Sequence, residues 1–269
     1  MLFDFGGTLV ECPAWMDLEL HDLVPVALAG LSRRGWVLPP RVDHDLGRDL
    51  LRQLRAVARE TWRECPARRC LEVILPRLGV QCPPGPLLDE VLHEIYGGLL
   101  PGVRWLAGSR ELLHSLNQEG IALALVSNAA YPAFVSEALA GAGVRHLFAS
   151  VVVSADTGWR KPHPVPFLRA LADLRVAPGD AVHVGDHFGQ DVVGAMRAGI
   201  RPLWIATDAG PARGGLHAGA PPGGEGGGAP AGWVPARVTP VVVPDLEGAA
   251  AYLLAQVGSR GGEPPPPGR

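Results

Sequence analysis

The chain has 269 residues, 47% of them hydrophobic, and a formal net charge of -3. That hydrophobic share is ample for one large α/β core with a small insert, and with no basic excess nucleic acid is not an expected partner. No apolar stretch approaches the roughly 18 residues a membrane span needs, and no charged leader precedes Asp4, so a soluble, cytoplasmic protein with no membrane partner is expected.

Leu2 to Phe5 reads as a short strand that delivers Asp4 to a Gly6-Gly7 turn. A carboxylate at the carboxyl end of a strand in an α/β sheet stands where ligands bind. From Ala14 to about Tyr96 the apolar residues repeat at helical spacing: Leu18, Leu23, Val26, Ala27 and Leu31; then Leu46, Leu50, Leu54 and Val57; then Leu71, Ile74, Leu75 and Leu78; then Leu87, Val91, Leu92 and Ile95. Four helices are therefore predicted, with no strand between them. A helix over Val103–Asn117 follows, then a strand at Ile121–Val126, a helix at Pro132–Ala142 and a strand at Phe148–Val153. Next come a helix at Pro164–Leu174, a strand at Ala181–Val184, a helix at Asp191–Ala198 and a strand at Arg201–Ile205. Such βα alternation is the pattern of a doubly wound sheet.

Residues 210–237 are rich in Gly and Pro and read as a flexible loop. Val238–Val243 and Leu246–Val257 read as a last strand and helix, and 258–269 as a disordered tail. The expected division is a core of 1–13 and 98–257, a helical domain of 14–97, and the tail. Cys12, Cys65, Cys70 and Cys82 lack paired C-x-x-C spacing, so buried or half-buried free thiols are expected rather than a zinc site or redox pair.

Four motifs stand beside β-runs: Asp4-x-x-Gly7-Thr8, Ser127-Asn128, Lys161-Pro162, and Gly185-Asp186-x-x-x-x-Asp191-x-x-Gly194-Ala195. Their chemistry suits magnesium-assisted phosphoryl transfer. An ionised Asp4 can attack phosphorus and form an aspartyl-phosphate. Asp4, the Gly6 carbonyl and Asp186, with waters and phosphate, supply the six oxygens that magnesium prefers. Asp191 lies within reach of the same loop and serves the metal directly or through water. Ser127 and Asn128 can hold a phosphoryl oxygen, and Lys161, with Arg160 beside it, offsets the developing negative charge. His187 is the nearest titratable neighbour of Asp186 and a candidate for substrate contact.

In this order and spacing the motifs resemble those of the haloacid dehalogenase-like (HAD) hydrolase superfamily over about 1–205 and 240–257. The resemblance implies a doubly wound, mainly parallel, Rossmann-like α/β core. It also implies an all-helical cap inserted after the first strand, a bound magnesium ion and a small phosphorylated substrate; the expected state, which the resemblance does not decide, is a monomer or homodimer. Arg33 and Trp36 are then cap residues placed to contact the substrate, with Trp15, Trp62 and Arg34 as further candidates. The family's phosphatases carry Asp-x-Asp, whereas here the second position is Gly6. That Asp protonates the leaving group, a contribution typically worth about 100- to 10,000-fold. Three outcomes follow: His187 or a cap residue supplies the proton, the substrate has a good leaving group, or the protein is a weak catalyst or binder. The family's metal-free dehalogenases also lack an acid there and use a cap arginine. The Asp186/Asp191 pair argues against that branch, and the absence of lysine from 11–100 argues against the phosphonate-cleaving one.

Overall fold

The computed structural model describes residues 1–206 and 240–260. The expected 210–237 loop and residues 261–269 of the expected tail lie outside the described residues. In chain order the elements are β1 (Leu2–Phe3), β2 (Val10–Glu11), α1 (Pro13–Asp17), α2 (Leu23–Arg33), α3 (His44–Thr61), α4 (Ala67–Arg77), α5 (Gly85–Gly97), β3 (Arg104–Trp105), α6 (Ser109–Gln118), β4 (Leu123–Ser127), α7 (Pro132–Gly141), β5 (Phe148–Val153), α8 (Ser154–Thr157), α9 (Pro164–Leu174), β6 (Val182–Gly185), α10 (Val193–Arg197), β7 (Arg201–Ile205), β8 (Val241–Val243) and α11 (Leu246–Arg260). Wide turns of π geometry at Leu18–Asp22 and Phe188–Val192 lead into α2 and α10.

Six strands form one parallel sheet in the order β5-β4-β1-β6-β7-β8. The chain leaves β1 to build β4 and β5 on one side, then crosses to build β6, β7 and β8 on the other. Winding reverses at β1, and the crevice at the strands' carboxyl ends there is where such sheets bind ligands. Strand alternation divides the core. Phe3, Leu123 and Leu125 pack in one buried cluster with α6, α7, α11 and the inserted helices, while Leu2, Ala124 and Val126 face α9 and α10. This is the expected doubly wound fold with a helical insert, α1–α5, between β2 and β3.

Some expectations need correction. β1 covers only Leu2–Phe3, so Asp4 and Phe5 already belong to the turn. The helix expected from Val103 begins at Ser109, because Arg104–Trp105 pairs antiparallel with Val10–Glu11 and closes the two ends of the insert together. Gly108, at φ +77°, makes the turn into it. α3 is rotated from its expected face. Leu46 and Val57 are 41% and 54% exposed, and the buried stripe is Gly47, Leu51, Arg55 and Ala58. Gly47 lets α3 approach Val24 so closely that a Cβ would stand 2.9 Å from it. The last helix runs on to Arg260 rather than stopping at 257. Cys82 is exposed rather than buried, and the Cys65 and Cys70 sulfurs lie 3.0 Å apart.

Candidate active site

Asp4 leaves β1 with its N–H donating to the Val184 carbonyl at 2.9 Å, which fixes it beside the end of β6. Gly7 then turns at φ +87°, and a Cβ there would stand 2.3 Å from Asp186 Oδ2. Only glycine allows both the turn and that approach. Gly185 has the matching role across the cleft, since its Cβ would fall 2.3 Å from Asp191 Cγ.

These turns bring together residues far apart in sequence. The Lys161 ammonium contacts Asp4 Oδ1 at 2.5 Å and Asp191 Oδ1 at 2.6 Å, with all three side chains buried. Thr8 donates to Asp4 Oδ2 at 3.1 Å and lies 3.4 Å from Asp186 Oδ1. Oxygens of Asp4, Asp186 and Asp191 all lie within 4.8 Å of one another. Lys161 is also the only lysine in a chain whose other cationic side chains are all arginine. A compact ammonium with three rotatable donors fits between two carboxylates in a closed space where a planar guanidinium does not.

The charges are unbalanced. Burial disfavours the Lys161 ammonium, but Asp191 and Asp4 outweigh it and raise its pKa. Burial pushes Asp191 up, yet Lys161 and the hydrogen bond from His183 hold it below the usual carboxylate range. Burial raises Asp4, with Asp191 adding to the effect and Lys161 opposing it. Asp186 has no salt-bridge partner among the described residues, and burial, then Asp4 and Asp191, push it up to about 8 against the attraction of Lys161. Three hard oxygen donors around one ammonium fit a small divalent cation, whose charge would relieve Asp186. The cluster is a divalent-metal site by its chemistry.

Other expected residues take varied positions. Ser127 ends β4, buried, and its hydroxyl has no partner among the described residues. The Asn128 side chain is a brace: Oδ1 accepts from the Lys161 N–H at 2.8 Å, and Nδ2 donates to the Lys161 carbonyl at 3.1 Å and to Gln190 Oε1 at 2.8 Å. His187 Nδ1 accepts from the Gln190 N–H at 3.2 Å, and its own N–H donates to Asp191 Oδ2 at 3.0 Å. Asp191 therefore already accepts from Lys161, His183 and His187. Arg33 and Trp36 are engaged within the insert, with Glu94 at 2.9 Å and the Gln81 carbonyl at 3.1 Å. The Gly6 position is covered by Trp15, whose ring stands 3.0 Å from where a Cβ would lie.

Two features went unread in the sequence. His183, on β6 and 1% exposed, places Nε2 3.0 Å from Asp191 Oδ1, and burial lowers its pKa so that it sits there neutral. The single signal was a histidine between valines in an otherwise apolar strand. The second feature is a buried network joining insert to core. Glu19 accepts from Trp15 Nε1 and the Ala130 N–H, both at 2.9 Å. Glu64 accepts from Arg160 and Ser154, both at 2.5 Å, and from Arg55 at 3.3 Å.

Comparison with known proteins agrees with this geometry. The haloacid dehalogenase-like hydrolase family model matches residues 69–205. The chain is 42% identical over 93 residues to a phosphoserine phosphatase of Thermus thermophilus, covering 35% of this chain and 37% of that protein. It is 34% identical over 118 residues to haloacid dehalogenase-like hydrolase domain-containing protein 3 of Bos taurus, covering 43% and 46%. The chain thus spans less than half the length of these curated relatives. Among solved structures, a 2-haloacid dehalogenase from Pseudomonas syringae superposes with a TM-score of 0.57 at 22% identity, over 96% of this chain and 97% of that one. A HAD phosphatase from Thermococcus onnurineus does so at 0.53 and 20% identity, over 94% and 96%. At such identities the likeness is one of fold. The matched region, about half of the chain, holds the motifs of Ser127, Lys161, Asp186 and Asp191, and on this ground the chain belongs to the haloacid dehalogenase-like hydrolase family.

Proposed function

We propose that the protein is a magnesium-dependent hydrolase of a small phosphate ester or acyl phosphate, working through an aspartyl-phosphate on Asp4. The observation that carries this reading is the buried contact of Lys161 with both Asp4 and Asp191, beside an Asp186 that has no salt-bridge partner among the described residues. Asp4, Asp186 and the Gly6 carbonyl would hold the metal. Asp191, whose oxygens already accept from Lys161, His183 and His187, would act through a bound water. The metal would neutralise carboxylate and phosphoryl charge.

Asp4 attacks phosphorus. One oxygen–phosphorus bond forms, the bond to the leaving group breaks, and the leaving oxygen takes the electron pair. Water then attacks the same phosphorus, frees inorganic phosphate and restores Asp4. Lys161 keeps its charge against the phosphoryl oxygens throughout, and the free Ser127 hydroxyl donates to one of them. Asn128 acts by fixing the main chain at Lys161.

Gly6 and the Trp15 ring over it remove the usual acid from its place. The reading therefore favours a leaving group stable as an anion, such as a carboxylate or phenolate. A phosphorylated small molecule is the proposed partner, and a cytoplasmic monomer or homodimer the proposed state. Relatives named as phosphatases of phosphoserine, glyceraldehyde 3-phosphate and phosphoglycolate support the reaction class.

The test is phosphate release from acetyl phosphate and p-nitrophenyl phosphate, with and without magnesium. Release that needs the metal, is lost in Asp4→Asn and favours acetyl phosphate is expected. No release by a folded protein that binds magnesium would overturn the proposal and make 2-haloacids the next substrates.

A further inference from the structure

The segment between α3 and α4 grips the loop that carries Lys161. Trp62 turns the chain at φ +55°, and residues 62–64 then run antiparallel to 158–160. The Arg160 N–H donates to the Trp62 carbonyl at 2.8 Å, and the Glu64 N–H to the Gly158 carbonyl at 3.0 Å. Arg63 lies over the Trp159 ring at 3.4 Å. The Glu64 carboxylate pins the grip by accepting from Ser154 and Arg160. One residue past Arg160 stands Lys161.

At the other end of this short segment is Cys65. It is half-buried and precedes the amino end of α4, and its sulfur is 3.0 Å from that of Cys70 in the first turns of the helix. Its carbonyl accepts from Arg55 Nη1 at 2.6 Å. Two sulfurs this near close to bonding distance with a shift of about 1 Å.

We propose that Cys65 and Cys70 are an oxidisable dithiol that a peroxide converts to a disulfide, and that closing it disturbs the grip on the Lys161 loop. The Cys65 thiolate attacks one peroxide oxygen. The O–O bond breaks, a sulfenic acid forms and hydroxide leaves. The Cys70 sulfur then attacks the Cys65 sulfur, the S–O bond breaks, and the hydroxide takes the Cys70 proton to leave as water. Two thiols and one hydrogen peroxide thus give one disulfide and two waters.

The surroundings suit this division of labour. The hydrogen bond from Cys70, with Arg55 adding its charge against partial burial, lowers the Cys65 thiol to about 7. Arg69 favours the thiolate as well, and Glu64 opposes it. The hydrogen bond to Cys65 and burial raise Cys70. Cys65 is therefore the attacking thiolate and Cys70 the resolving thiol. Exposed Cys82, whose thiol donates to the Pro83 carbonyl at 3.7 Å, provides an internal comparison.

The experiment treats the full chain with hydrogen peroxide, alkylates residual thiols with iodoacetamide and maps the peptides by mass spectrometry. Expected is a Cys65–Cys70 cross-linked peptide that dithiothreitol reverses and that forms before Cys82 is oxidised. Alkylation of Cys65 in untreated protein should rise with pH to half its maximum near 7, and Cys70→Ala should move that midpoint toward an ordinary thiol. Oxidation of Cys82 with Cys65 and Cys70 left as thiols would overturn the site. This arm needs no catalytic readout, so it stands or falls apart from the proposed hydrolase activity. The effect on turnover rests on that reading. Because misplacing a catalytic group by about 1 Å costs up to about 100-fold, oxidised wild type should lose about tenfold or more in phosphate release, and Cys65→Ser nothing. A disulfide that leaves turnover unchanged, or equal loss in Cys65→Ser, would overturn the coupling to Lys161.

Discussion

Two buried charged clusters lie close together in this protein, and they are built on opposite principles. At the head of β1 and β6 three carboxylates, Asp4, Asp186 and Asp191, face the single ammonium of Lys161. Between insert and core the Glu64 carboxylate pairs with two guanidinium groups, Arg55 and Arg160, while Arg55 Nε donates to the main-chain carbonyl of Glu19, whose carboxylate is buried beside them. The second cluster holds as many cationic as acidic side chains, and its carboxylate oxygens accept from Trp15, Ser154 and main-chain N–H groups. The first is short of positive charge, and burial with the neighbouring carboxylates Asp4 and Asp191 pushes the Asp186 carboxyl up to about 8. Burying charge without a partner is costly, so a cluster that stays unbalanced is built to receive something, whereas a balanced one locks the parts it joins.

Substitutions separate the two, beginning with the largest effect. Asp4→Asn should reduce phosphate release to background while leaving the unfolding transition in urea intact. A variant that still turned over would remove Asp4 from the chemistry. In the balanced cluster, Glu64→Ala leaves Arg55 and Arg160 buried without their carboxylate, and should cost about 3–5 kcal/mol in denaturant unfolding. A loss below that of an exposed pair would show that the clasp does not hold the insert.

Asp186→Asn should have the opposite sign in the absence of metal. It removes the one carboxylate of the cluster that has no salt-bridge partner among the described residues, so thermal unfolding of the metal-free protein should shift upward by a few degrees, about 2–4 °C per kcal/mol in a chain of this size. The same variant should no longer be stabilised by added magnesium. His183→Gln reaches the metal only through Asp191, and should weaken magnesium binding about 10- to 100-fold by calorimetry. At the small end, Glu94→Ala breaks the exposed pairs with Arg33 and Arg34, and should change stability by less than about 1 kcal/mol.

Much of the unbalanced cluster was legible in the sequence because Asp4 and Asp186 directly follow apolar β-runs and small residues flank their motifs. Gly7 and Gly185 are the backbone's record of how closely Asp186 and Asp191 approach. The balanced cluster was not legible. Glu19, Arg55 and Glu64 look like ordinary polar residues of amphipathic helices, and their partners Ala130, Ser154 and Arg160 lie far along the chain. The same difficulty misplaced the buried face of α3, where Leu46 and Val57 point outward because Gly47 and Arg55 turn inward. Cys65 and Cys70 meet because a loop and a helix turn happen to face each other, which residue spacing alone does not encode. His183 was passed over because a strand of valines reads as pure core. The place of Trp15 over Gly6 depends on how the insert docks, so the sequence announced the missing acid but not what covers its position.

The most direct measurement is to quench the protein in acid during turnover of acetyl phosphate with magnesium and locate any phosphoryl group by peptide mass spectrometry. The account predicts an amino-terminal peptide carrying one phosphoryl group on Asp4, absent without magnesium and absent from Asp4→Asn. Steady release of phosphate from an Asp4 that never becomes phosphorylated would contradict it.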